Sequence, residues 1–369
     1  MCLVHLTHLA KKRYNQTMKN LLLYSTQKKE LLKSFIQSFF QEQKKYSSGE
    51  QSRKALERLE EFALQGKMLR GTFVLLSYEM YGGEVSQDAL SIASAVELTH
   101  AILLIHDDIM DNDEKRRNAP SMFAQYASDA RILKLTSPDV YGKSAAMIVG
   151  DVGLLLAFEL LSDLNATHDV SNKIRQSFSQ EMVRVAYGQL MDFDFGQTAE
   201  MRSEKDIENM YKLKTGGYTF TLPFKFGALL SNVADEEQMK LDKLTQLLGI
   251  TFQLKDDELG IMGESGVTGK SIGSDVREGK KTLLWVRLYA ACTDSEKRLL
   301  NSFLGSEITR EQINEVRSLL QKYKVIERIQ DEINDTSIRS NSIVDSLSVD
   351  IKYKVILKEL IEYNAHRNS

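Results

Sequence analysis

The 369-residue sequence predicts an all-α protein, one domain of ten or more helices. Three observations carry that expectation. Only Pro120, Pro138 and Pro223 interrupt the chain, so long segments are free to be helical. Strand-like alternation is absent over any length, whereas apolar residues recur at helical spacing. Residues 96–109 and 144–164 are apolar nearly all round, which marks helices packed inside a protein rather than on its surface.

Bulk properties narrow the field. With 48 basic and 51 acidic residues the net charge is −3, which gives no reason to expect nucleic-acid binding. Two cysteines, Cys2 and Cys292, are too few for a disulfide framework and point to a reducing, cytoplasmic setting. Apolar runs fall short of the ~18 residues read as a membrane span. Residues 1–18 open with an apolar patch followed by basic residues, the reverse of a secretory signal, and read as a loose extension. Residues 19–369 then read as one domain.

Residues 19–47 read as an amphipathic helix with Leu22, Leu31, Phe35 and Phe39 among its apolar positions. Residues 53–65 continue in helical pattern to Gly66, which is expected to open a helix. That would place Lys67 and Arg70 on one face of a first turn, where helix N-termini already attract anions. Two solvated basic residues at a helix start would look the same.

The chain is organised around residues 96–120. His100, Asp107 and Asp111 share one helical face, and Asp108 points about a quarter-turn away. Carboxylates on an apolar helix cost several kcal/mol each unless something cationic holds them. Arg116 and Arg117 follow, and the helix is expected to end near Asn118–Pro120. Residues 121–143 read as helix then loop, punctuated by Pro138 and Gly142. Asp151, on the apolar helix 144–164, reads as a buried cap or inter-helix hydrogen bond in preference to a further ligand.

Residues 181–195 form a helix bearing Gln189 and Asp192. The next helical segment meets Thr215-Gly216-Gly217, with Lys214 beside it. The glycines mark either a kink that frees a carbonyl or a plain helix end. Residues 244–264 repeat the acidic device, with Gln253 one turn before Asp256 and Asp257 beside it. A glycine-rich loop with Lys270, Arg277, Lys280 and Lys281 follows. It suits a basic flap or an ordinary polar loop, and it lacks P-loop spacing. From Trp285 the chain is helical and charged.

Asp107 and Asp111 facing Asp256 would suit Mg²⁺, which takes oxygen ligands from a few carboxylates and substrate phosphates. EF-hand spacing and paired His or Cys ligands are both missing, which disfavours calcium-loop and zinc sites. Metal on a diphosphate favours heterolysis of the carbon–oxygen bond, and an allylic cation needs a dry apolar cavity. No Ser/His/Asp or Cys/His arrangement offers a conventional nucleophile.

Over residues 60–285 the ordered motifs resemble the trans-isoprenyl diphosphate synthases, which include farnesyl and geranylgeranyl diphosphate synthases. The motifs are GKxxR at Gly66, His100, DDIMD at Asp107 with Arg116-Arg117, GQ at Gly188, KT at Lys214 and FQxxDD at Phe252. The forms DDELG and GSDVREGKKTLL look most like archaeal short-chain members. The resemblance implies a single-domain isoprenoid-synthase helical bundle around a central cavity, a homodimer, and head-to-tail condensation of isopentenyl diphosphate with an allylic diphosphate (dimethylallyl, geranyl or farnesyl).

By that resemblance, Asp107, Asp111 and Asp256 hold two or three Mg²⁺ ions, supported by Asp108 and Asp257. Arg116, Lys214 and Lys270 grip the allylic diphosphate, while Lys67, Arg70, His100 and Arg117 hold isopentenyl diphosphate. Thr215 and Gln253 stabilise the cation and leaving group, with Gln189 near the cavity. Gly260 stands where many members carry a third Asp, and Met68 where many carry a basic residue. Family members with aromatics at the positions of Ile102 and Leu103 make short products, so their absence points to C20 rather than C15, with longer chains an alternative. A non-catalytic subunit would be expected to lose the acidic motifs, and a terpene cyclase of the same fold would not need a second anion site.

Overall fold

The computed structural model describes residues 18–198, 200–263 and 273–367, and among them it is helical almost throughout. In order the helices are α1 (Lys19–Lys45), α2 (Glu50–Leu64), α3 (Leu69–Met80), α4 (Gln87–Asp111), α5 (Met122–Ile132), α6 (Pro138–Ser162), α7 (His168–Gln197) and α8 (Glu204–Tyr211). A π-helix (Lys212–Thr221) leads into α9 (Leu222–Leu230) and α10 (Asp235–Met262). Then come α11 (Ser274–Arg277), α12 (Leu283–Ala291), α13 (Asp294–Phe303), α14 (Arg310–Lys322), α15 (Val325–Ser346) and α16 (Ile351–His366). The described residues group into two compact units, one of residues 25–179 with 223–233, the other of residues 18–24, 180–198, 200–222, 234–263 and 273–367.

In the first unit α4 packs against α3 and α6, and α5 lies along α6. Ser86 caps α4 by accepting from the Ala89 amide, and Asn112 ends it in the left-handed region at φ 56°. Helix α4 therefore stops eight residues before Pro120, earlier than the sequence suggested. The chain then makes a two-residue antiparallel hairpin, β1 (Lys115–Arg116) with β2 (Ala119–Pro120). Its turn places Arg117 and Asn118 at positive φ, as a two-residue type I′ connection requires. Pro138, read as loop punctuation, is instead the first residue of α6, where its missing N–H costs nothing. Helix α9 lies against α3 so closely that a Cβ on Gly227 would stand 2.5 Å from the Val74 carbonyl.

Several details depart from the sequence reading. The buried stripe of α1 is Leu21, Leu32, Ile36 and Phe40, whereas Leu22 and Leu31 are exposed. Two neighbouring stripes on that helix are both apolar, and packing chose the second. Asp151 is exposed and lies 3.9 Å from His106 Nε2, so it is not a buried cap. By length and composition α4 and α6 are apolar enough to cross a membrane, contrary to the sequence count, and 72% of the α4 window is buried inside the protein.

The second unit is built around α10, which contacts the π-helix, α15 and α16. Its core gathers Trp285, Leu284, Ile207, Val316 and Ile329. The glycines at 216 and 217 neither end nor kink a helix into a loop. Helical structure continues through them with π geometry. Close approach explains them: a Cβ on Gly217 would collide with the Glu181 carboxylate, and one on Gly249 would lie 3.0 Å from the Gly216 Cα. Capping boxes at Ser203, Thr293 and Thr309 start α8, α13 and α14.

Candidate active site

In the first unit the C-terminal turn of α4 carries Asp107, Asp108 and Asp111. Asp108 is completely buried, and its Oδ1 accepts from Arg116 Nε at 2.7 Å and from Arg116 Nη2. The hairpin after α4 is what turns Arg116 back over these carboxylates; its Nη2 also lies 3.7 Å from Asp107 and 3.8 Å from Asp113. Burial pushes the Asp108 carboxyl up to about 6, although the guanidinium pulls it back down. Among the described residues, the buried Oδ2 of Asp108 has no hydrogen-bond partner. Carboxylate oxygens of Asp111 and Asp113 lie within 4.8 Å of each other. Asp113 went unnoticed in the sequence because DDIMD was read as the complete motif, although Asp113 stands only two residues beyond it.

Two turns back on α4, His100 stands in the field of Arg70 of α3 and of Arg117 in the hairpin turn. His100 is held well below its usual value, first by burial and then by the charges of Arg70, Arg117 and Arg116. It is therefore a neutral ring at physiological pH, able to donate one N–H to an anion. Arg117 donates to the Phe62 carbonyl at 3.4 Å and stacks over the Phe62 ring at 5.8 Å. Helix α3 begins at Leu69 rather than at Gly66, because Met68 takes the left-handed conformation at φ 55°. Lys67 therefore lies exposed in the preceding turn and Arg70 in the first helical turn, so the pair does not share a helical face.

In the second unit Lys214 and Thr215 lie on the π-helix. Lys214 Nζ bonds Asp192 of α7 at 2.5 Å. Gly188 permits this approach, since a Cβ there would stand 2.3 Å from the Lys214 amide. Gln189, its neighbour, is half-buried. The adjacent acids of α10 divide sharply. Asp257 is 3% exposed; its Oδ2 accepts from the Tyr211 hydroxyl at 2.7 Å and the Leu283 amide at 3.0 Å. Gln253 reaches its Oδ1 at 3.2 Å, and burial raises Asp257 to about 7. Asp256 pairs with Arg367 at 2.5 Å, and Arg367 lies over the Phe252 ring at 4.0 Å.

The neighbours Tyr211, Asp192 and Arg367 are parts of the site that sequence spacing did not assign. They lie 46, 22 and 111 residues from their partners, beyond any helical period. Lys270 lies outside the described residues. Lys281, expected on a flap, is instead buried and donates to the Phe195 and Thr198 carbonyls at 2.5 and 2.6 Å, so it caps the end of α7.

Residues 53–323 match the family model described as polyprenyl synthetase. The chain belongs to the polyprenyl synthetase family. This polyprenyl synthetase is 32% identical over 268 residues to a geranylgeranyl diphosphate synthase of Saccharolobus solfataricus, covering 72% of this chain and 75% of that one. It is 29% identical over 307 residues to a geranylfarnesyl diphosphate synthase of Aeropyrum pernix, covering 82% and 90%. Its fold matches the crystal structure of a geranylgeranyl pyrophosphate synthase of Corynebacterium glutamicum complexed with isoprenyl diphosphate and magnesium. That match has a TM-score of 0.86 at 24% identity and covers 92% and 98% of the two chains. The isoprenoid-synthase fold is all-α, as expected, and the polyprenyl synthetase is a prenyltransferase.

Proposed function

We propose that this prenyltransferase condenses isopentenyl diphosphate head-to-tail with an allylic diphosphate and that its product is geranylgeranyl diphosphate. The observation that carries this reading is the layout of α4. The end of α4 bears the carboxylates, and His100 two turns back stands in the field of Arg70 of α3 and Arg117 of the hairpin, so an acidic and a basic cluster are set side by side for two anionic substrates. A cyclase, with one diphosphate to hold, has no use for the second cluster.

The donor set suits Mg²⁺. Asp107, Asp111 and Asp113 offer hard carboxylate oxygens, and the buried Oδ2 of Asp108 has no hydrogen-bond partner among the described residues. Asp107, Asp111 and Asp256 would hold two or three ions, which supply Lewis-acid neutralisation of the leaving diphosphate. Asp108 has a different task, fixing Arg116 so that its guanidinium meets the allylic diphosphate. Lys214, tethered by Asp192, assists there, and Lys270 is assigned the same role by the family resemblance alone.

Arg70, Arg117, His100 and Lys67 hold isopentenyl diphosphate. When the allylic C–O bond breaks, its electrons leave with diphosphate. The terminal alkene carbon of isopentenyl diphosphate attacks the cation, and the released diphosphate takes the proton that is then lost. Thr215 and Gln189 line the same reaction space in this reading. Gln253, whose amide donates to Asp257, is assigned with Thr215 to stabilising the cation and leaving group. The reading also includes a cytoplasmic homodimer.

The decisive experiment incubates the protein with isopentenyl diphosphate, each allylic primer and Mg²⁺ and measures product chain length. Substitution Asp107→Ala should lower turnover by several orders of magnitude while circular dichroism stays helical. Near-wild-type rates in that variant would remove the metal assignment.

A further inference from the structure

Helix α3 starts without help from its own residues, because Met68 at its N-cap makes no side-chain capping bond. The missing acceptor comes from another helix. Glu97 of α4 is 5% exposed, and its Oε1 accepts from the Gly71 amide at 2.7 Å. The Arg70 amide bonds the same carboxylate. These are the second and third amides of α3, the ones an N-capping side chain would normally take. Nothing larger than glycine fits at 71, since a Cβ there would meet the Ala93 carbonyl, Glu97 Cγ and Leu32 Cδ1, each at 2.9 Å. The start of α3 is thus pressed onto α4 and pinned by one buried acid.

That acid also stands among cations. Arg70 and Arg117 both act on it, and His100 follows it by three residues on α4. A carboxylate in the middle of an anion site weakens its positive field, so capping alone is a costly reason to keep one there. We propose that Glu97 is a positioning residue: by bonding the Arg70 and Gly71 amides it fixes where the Arg70 guanidinium stands relative to His100 and Arg117 for binding isopentenyl diphosphate. This rests on the assignment of that cluster to isopentenyl diphosphate. Glu97 does not itself touch the substrate; it sets the geometry of the residue that does.

The test compares Glu97→Ala, Glu97→Gln, Glu97→Asp and Arg70→Ala in steady-state kinetics, with both substrates varied and Tm recorded. Glu97→Ala should raise KM for isopentenyl diphosphate about tenfold or more, with kcat and the allylic KM within about threefold of wild type. Glu97→Gln keeps an oxygen for the amides and should restore most of that loss. Glu97→Asp keeps the charge but falls one methylene short, so it should raise the same KM several-fold, and it decides the matter if the Ala variant does not fold.

A lowered Tm in Glu97→Ala with unchanged KM would reduce Glu97 to a helix cap and overturn the proposal, as would a wild-type KM in Glu97→Asp. Equal damage in Gln and Ala would mean that charge, not position, matters, which also overturns it. Arg70→Ala separates the two levels. An unchanged KM there removes the substrate assignment and the proposal with it, whereas a raised KM beside inert Glu97 variants removes only the positioning role.

Discussion

Asp256 and Asp257 are neighbours in the chain with opposite tasks. Asp257 is buried among the Tyr211 hydroxyl, the Leu283 amide and the Gln253 amide, so its loss strands at least the buried Tyr211 hydroxyl at ~1–3 kcal/mol, while the Leu283 amide keeps that hydroxyl as an acceptor. Asp257→Ala should lower Tm markedly in thermal unfolding. Asp256, with a 42% exposed side chain held by Arg367, should behave differently: Asp256→Ala should cut turnover with little change in Tm. Chain-length control divides another adjacent pair. Ile102 is 2% exposed and packs on Gly153, where a Cβ would lie 2.7 Å from Ile102 Cγ1. It fills a helix–helix contact, so Ile102→Phe should destabilise the fold by ~1–3 kcal/mol through overpacking. Leu103 is only half-buried, and Leu103→Phe is the substitution expected to shorten products by chromatographic chain-length analysis.

The elements owe their start and stop to short-range chemistry and their placement to distant partners. Thr293 and Glu296 form the capping box of α13, and Glu296 also accepts from Lys322 Nζ at 2.7 Å and the Tyr323 hydroxyl at 2.6 Å. Lys322 and these other donors hold the Glu296 carboxyl down to about 2. A depressed carboxyl stabilises the folded state above its unfolded pKa, near 4.5, and loses that contribution as pH falls toward 2. Glu296→Gln should therefore be less stable than wild type at pH 7, and thermal scans should find the gap closing as pH falls from 4.5 to 2. Helix α4 shows the limit of local reading: its apolar pattern was plain, but its end at Asn112 depends on a left-handed cap that gave only a weak signal. The hairpin that returns Arg116 to Asp108 was missed for a related reason, since Arg117-Asn118 is an unusual pair for a type I′ turn and its two-residue strands show no alternation.

At the scale of the molecule, α6 presents Val140, Tyr141, Met147, Ile148 and Leu155 to solvent, repeating at about two helical turns. Residues so spaced form one apolar stripe, which a homodimer would cover. Light scattering after size-exclusion chromatography should give twice the chain mass, and Ile148→Asp with Leu155→Asp should yield monomers. A monomeric wild-type protein would remove that part of the reading. Within the second unit, the π-helix shows why the glycine pair at 216 and 217 was ambiguous in sequence: the reason for it lies on α7 and α10, in Glu181 and Gly249.

The amino-acid sequence alone determined the helical class, the acidic ends of two apolar helices and the order of the motifs. Helical periodicity and the cost of unpaired carboxylates operate within a few turns, so composition and spacing express them directly. Tertiary structure decided which carboxylates are already bonded, that Glu97 caps a helix not its own, that Tyr211 and Arg367 hold the second acidic pair, and that Lys281 faces inward. Those outcomes join residues tens to hundreds of positions apart through hydrogen bonds and close backbone approach, and no local period encodes which distant group will supply the partner.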